Sequence, residues 1–150
     1  MNIDHNHTYI MIPGKWQAKG IYFDENYGSL PVHGETEILH NSDGWILDGY
    51  MELELEETVR FYNKYTITPF KKDADFTSWI SENPVLGTLV GKFMIAGNLL
   101  LSSWQSKDNE YSGTECLIRL DSKKYKNHGF AFHDDQKLSS WEVELMLTSL

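Results

Sequence analysis

Period-two alternation, interrupted every ten residues or so by short polar turns, restricts this chain more than any other feature. The cleanest run spans residues 45–56, where Trp45, Leu47, Met51, Leu53 and Leu55 fall on one side and Asp48, Glu52, Glu54 and Glu56 on the other. Side chains that repeat every second residue belong to a strand with one apolar and one wet face. Similar runs place strands at about 15–23, 30–40, 45–56, 59–70, 85–96, 99–105, 112–120, 124–133 and 137–148. The links ENYGS, NSDG, AGN, SKDNE, DSK and HDDQ are too short for crossover helices. Successive strands therefore pair as antiparallel hairpins, and parallel α/β folds are excluded.

So many strands do not make one flat sheet. Closure removes the two outer edges, and eight to ten strands give a barrel with room for side chains or one small ligand. The expected architecture is all-β: a single up-and-down antiparallel barrel of eight to ten strands over residues 13–150, preceded by a flexible segment, 1–12. A β-sandwich is the alternative, but its Greek-key crossings need longer links. Residues 71–84, KKDADFTSWISENP, lack alternation; Asp73 or Asp75 is placed to cap a short helical turn near 73–81 that packs Trp79 onto the barrel.

Gly14-Lys15-Trp16, at the head of the first strand, resembles the Gly-x-Trp that opens lipocalin-type barrels, and the meander of short-turn strands resembles the wider calycin group. The resemblance implies an Arg near the last strand stacked on that Trp. The final strand, KLSSWEVELMLTSL, has none, so Arg119 is the residue to take this role from another strand.

The tetrapeptide LSSW occurs twice, at Leu101–Trp104 and Leu138–Trp141. Two-residue turns at Gly97-Asn98 and Asp135-Gln136 pair Phe93 with Ser102, Gly91 with Trp104, Phe132 with Ser139 and Phe130 with Trp141. After Trp141 the alternation of Val143, Leu145 and Leu147 against Glu142 and Glu144 marks its face as interior. Both tryptophans are expected inside, opposite small residues and Phe.

Thirteen Lys plus Arg against 22 Asp plus Glu give a net charge of −9, which repels nucleic acid and anionic membrane surfaces. No apolar run approaches the ~20 residues of a membrane helix. The one cysteine, Cys116, and a start without a basic or apolar leader point to a cytoplasmic protein. His5 and His7 read as part of a polar amino terminus rather than a metal pair. No metal or cofactor motif is present.

Inward polar groups are the informative exceptions, because burying one unpaired costs about 1–3 kcal/mol. Asn63 and Tyr65 share the inward face of their strand with Val59, Phe61 and Ile67. Two facings are open for residues 112–120. A two-residue Ser122-Lys123 turn sets Glu115 and Arg119 on one inner face with His128; a three-residue turn puts Cys116, Ile118 and Leu120 inside instead.

The expected function is an intracellular binding barrel for a small, largely apolar or aromatic ligand, lined by Trp16, Trp45, Asn63, Tyr65, Phe93, Trp104, Phe130 and Trp141. One alternative is an enzyme using the same cavity for proton transfer, cyclisation or lyase chemistry, with His128, Glu115, Arg119 or Tyr65 as catalytic groups. Another is an acidic interaction module whose outer Glu52, Glu54, Glu56 and Glu57 meet a basic protein partner. Homodimerisation is also left open.

Overall fold

The computed structural model describes residues 6–150. Ten strands follow one another: β1 (Gly14–Asp24), β2 (Gly28–Asn41), β3 (Gly44–Leu53), β4 (Val59–Ile67), β5 (Phe76–Asn83), β6 (Gly87–Ala96), β7 (Leu99–Ser106), β8 (Tyr111–Asp121), β9 (Lys124–His133) and β10 (Gln136–Ser149). Each pairs antiparallel with its sequence neighbours and β1 pairs with β10, so the sheet closes on itself. The all-β up-and-down barrel is therefore the fold, in place of the sandwich.

The expected helical turn near 73–81 is instead the strand β5. Its alternation places Thr77, Trp79 and Ser81 inside and Phe76, Ser78, Ile80 and Glu82 outside. Small polar residues on the inner face and large apolar ones on the outer face hid this pattern in the sequence. Asp73 does not cap a helix; it lies in the turn before β5 with φ 63°.

One end of the barrel is filled. Trp16, Ile38, Ile67, Leu100, Leu117 and Tyr125 are buried to 1 % exposure or less. The chain before β1 covers them. His7 Nδ1 is 2.7 Å from the Tyr125 hydroxyl, and its Nε2 donates to the Gly97 carbonyl at 2.9 Å. The Thr8 amide donates to the same Tyr125 oxygen at 3.1 Å. Tyr9 meets Trp16 edge-on, with ring centroids 5.2 Å apart.

Ile10 is fully buried at φ 59°, a left-handed conformation costing a β-branched residue roughly 1–2 kcal/mol. Burial and a bond from His40 Nε2 to the Ile10 carbonyl hold it there. His7, Tyr9 and Ile10, within the segment 1–12, thus pack against the end of the barrel. His5 lies outside the described residues.

The wall is unequal around its circumference. β4 pairs with β3 along its whole length, but with β5 only at Thr66–Ile80 and Ile67–Trp79, extended by the Thr68 amide donating to the Ser78 carbonyl at 2.9 Å. From Val59 to Tyr65 the β5 side of β4 has no strand partner. Phe61 shares the inward register of buried Ile67, yet is 42 % exposed. The wall parts between β4 and β5 at the end opposite the packed amino-terminal segment.

Candidate functional site

Inward-facing residues are buried at both ends of the barrel, with Trp45 and Arg119 as half-buried exceptions near the covered end, whereas Tyr22, Met51, Asn63, Tyr65, Trp104, Glu115 and Trp141 are inward yet only half-buried. Inward side chains keep accessible surface only where they border open space, so the interior, or lumen, is incompletely filled beside these residues. Val32, Leu53 and Leu89 are buried at the end opposite the covered one. The parted β4–β5 seam, with Phe61 on its lip, runs beside Asn63 and Tyr65.

The lumen is shaped by tryptophans laid over glycines. Gly91 lies between Trp79 and Trp104 in the sheet, Gly113 opposite Trp104, and Gly129 opposite Trp141. A Cβ on Gly91 would stand 2.3 Å from Trp79 Cε2, one on Gly113 2.3 Å from Trp104 Cε2, and one on Gly129 2.2 Å from Trp141 Cζ2. Each indole therefore uses the space that a neighbouring side chain would fill. Tyr65 stacks on Trp79, with centroids 4.1 Å apart and planes 10° from parallel.

Glu115 is the one acidic group in this lumen among the described residues. Its cross-strand neighbours are small, Ser102 on β7 and Gly129 on β9, the second covered by the Trp141 indole, and Glu115 stays only half-buried. Burial raises its pKa to about 7, while polar contacts from Asn127 and Trp141 pull in the opposite direction. Trp141 Nε1 also donates to Asn127 Oδ1 at 3.3 Å. Burial, then the nearby Glu115 charge, holds the Tyr65 and Tyr9 hydroxyls well above the ordinary tyrosine range.

Trp16 and Phe93 face inward as expected but belong to the packed core. Trp45 is half-buried near the covered end, stacked on His40 at 4.0 Å. Trp104 and Trp141 both face the lumen. Phe130 does not: it is 49 % exposed on the outer surface. The turn before β10 falls at Asp134-Asp135, and a bulge between Lys137 and Ser139 shifts the register. Trp141 consequently meets Gly129, and Phe130 meets Ser140.

A second bulge, between Arg119 and Asp121, decides the facing of β8. Glu115, Leu117 and Arg119 point inward, but His128 pairs with Cys116 on the outer face and is removed from the expected trio. Arg119 lies two inward positions beyond Glu115, opposite Tyr125 near the covered end. Its Nε is buried without a protein partner, as are Nε1 of Trp16 and Trp79. The aromatics meeting Trp16 are Tyr9 and Tyr125, so the Arg–Trp stack expected from the lipocalin likeness is replaced by edge-on phenol rings. Sequence reasoning missed Asn127 and Tyr22; with the bulge placed, the parity of β9 would have found the first.

Two hollows lie elsewhere. One of about 410 Å³ is lined by Asp121, Ser122, Lys123, Lys124, Met146 and Leu147; the other, about 210 Å³, lies over Lys15, Glu37, Asp48, Tyr50 and Tyr62. Both are largely bordered by charged outer residues, and neither includes Glu115, Tyr65 or the lumen tryptophans. On the acidic outer face, Glu52 accepts from Arg60 and stands 3.4 Å from His33, whose Nε2 is also 3.1 Å from Glu54. No group of three or more metal-ligating side chains occurs among the described residues.

No family model matches the chain, and comparison with curated proteins finds no sequence match. Among solved structures it is similar to the S-type phycobiliprotein lyase CPES from Guillardia theta, with a TM-score of 0.63 at 5 % sequence identity, covering 93 % of this chain and 89 % of that one. At that identity the likeness concerns the fold, and together with the closed ten-stranded meander it supports a calycin-like barrel.

Proposed function

We propose that this protein is an intracellular binding barrel that takes a small, largely apolar or aromatic molecule through the β4–β5 seam into the lumen. One observation carries the reading: Tyr65, Trp104, Trp141, Asn63 and Glu115 point inward and still keep accessible surface. A filled barrel would bury them as it buries Phe93 and Leu117. Aromatic walls with a few polar anchors are the usual composition of a small-molecule site. The buried, unpartnered Trp79 Nε1 adds a donor beside the Tyr65 ring.

Binding is favoured over acid–base catalysis because the catalytic candidates do not converge. His128 is on the outer face, and Arg119 is near the covered end. The fold shared with a lyase does not transfer its activity. An acidic docking role is weakened by the engagement of Glu52 and Glu54 with Arg60 and His33.

The test is native mass spectrometry of protein purified from its source cells. A retained small-molecule mass, lost when Tyr65 and Trp104 are replaced by Ala in a folded variant, is the expected result. Absence of any retained mass, with no change in tryptophan emission on adding cell extract, overturns the reading.

A further inference from the structure

Glu115 is hard to explain as a structural residue. The side chains beside it are Asn127 on β9 and Trp141 on β10, with Ser102 on β7 opposite it in the sheet. Tyr65 on β4 and Tyr9 in the amino-terminal segment feel its charge. No Lys, Arg or His forms an ion pair with it among the described residues. The basic groups on the covered side, Arg119 and His7, face Tyr125 instead. A glutamine could offer the same oxygen to Asn127 and Trp141 without the desolvation of a carboxylate. A charge placed in a lumen without a protein counter-ion is complementary to one brought from outside.

We infer that Glu115 is the anchor for a cationic ligand: a molecule with an apolar or aromatic body and a protonated nitrogen that donates to the Glu115 carboxylate. This rests on the binding-barrel reading above. Glu115 itself is inward yet only half-buried, so its side chain is the part of this cluster that borders open space, and Trp141, lying over Gly129, offers its ring beside it. Aromatic faces attract cations as well as apolar surface, so the same wall serves both parts of the ligand. A neutral ligand gains nothing from the charge, and an anionic one is repelled by it.

Linkage follows from the titration of Glu115 near 7. Tyr9 and Tyr65, the titratable groups that feel its charge, stay neutral in this range, so of these three only Glu115 gains or loses charge between pH 6 and 8. A cation binds the ionised form, whose population falls about tenfold from pH 8 to pH 6.

The experiment is calorimetric titration with three probes sharing one ring system: 2-naphthylmethylamine, 2-naphthylmethanol and 2-naphthoate. It is run at 0.15 M salt, where the Debye length of about 8 Å screens the acidic exterior. At pH 8 the amine should bind at least tenfold more tightly than the alcohol, with the carboxylate weakest. Glu115→Gln should abolish the amine's advantage while leaving the alcohol within twofold, which also reports that the variant is folded. In the wild type, lowering the pH to 6 should weaken the amine about tenfold and leave the alcohol unchanged.

If the alcohol binds and the amine binds no better, or if the preference survives in Glu115→Gln or is undiminished at pH 6, the cationic-ligand inference is overturned and the binding barrel stands. If none of the three probes binds, both are overturned.

Discussion

Gly129→Ala tests how the lumen is built. The added Cβ would lie 2.2, 2.3 and 2.6 Å from Cζ2, Cε2 and Nε1 of Trp141. Carbon atoms in contact normally stand about 3.5–4.0 Å apart, so the indole must retreat by more than ~1 Å. It then loses the 3.3 Å bond to Asn127 and its place beside Glu115. Overpacking of this kind costs about 1–3 kcal/mol. Against it stands a gain of about 0.4–1 kcal/mol from a less flexible unfolded chain. The net expectation is a loss of about 1–2 kcal/mol, read as a lower urea midpoint at unchanged slope, with Tm falling by roughly 2–8 °C and an altered near-ultraviolet circular dichroism band. Trp141→Leu in the same chain should recover most of the loss specific to Gly129→Ala, because the coupling is between these two positions. If Gly129→Ala costs less than about 0.5 kcal/mol with its aromatic band intact, or if the double variant is no better than additive, the Trp-over-Gly account of the lumen fails.

Two further outcomes are expected. Tyr125→Phe removes the oxygen shared by His7 and the Thr8 amide and should lower stability by about 1–3 kcal/mol, with limited proteolysis shifting to residues 6–12; unchanged cleavage there would mean that this contact does not hold the segment. For Glu115, the folded pKa of about 7 exceeds the reference value of 4.5, so the native state binds the extra proton between these limits and stability falls as pH rises through that window. The slope is at most about 1.4 kcal/mol per pH unit, and Glu115→Gln should flatten the dependence of the urea midpoint between pH 5 and 8.

The wall of the barrel was legible in the sequence because its signals are local. Period-two runs and short turns gave the hairpins, and the Gly97-Asn98 turn predicted the Gly91–Trp104 and Phe93–Ser102 pairs found in the sheet. The misplaced facings of His128 and Phe130 trace to single inserted residues. Bulges in β8 and β10 carry no compositional mark, yet each reverses the facing of what lies across from it: His128 moves out in one hairpin, Phe130 in the other. Glu115 kept its inward place while losing its expected partner. At the amino terminus, polar composition concealed that His7, Tyr9 and Ile10 pack under long-range contacts with Tyr125, Trp16 and His40, which no local window can show.

The parted seam has a consequence for self-association. Barrel closure normally satisfies every strand's main chain, but from Val59 to Tyr65 one side of β4 is left without a strand partner, a template on which an extended segment of another molecule could register. Arg60 and Lys64 project from that length of strand, and Pro84, which has no amide proton to donate, immediately follows β5. Under the proposed binding reading, the residues around the opening would act as gatekeepers, passing a small molecule while discouraging a second polypeptide from completing the sheet.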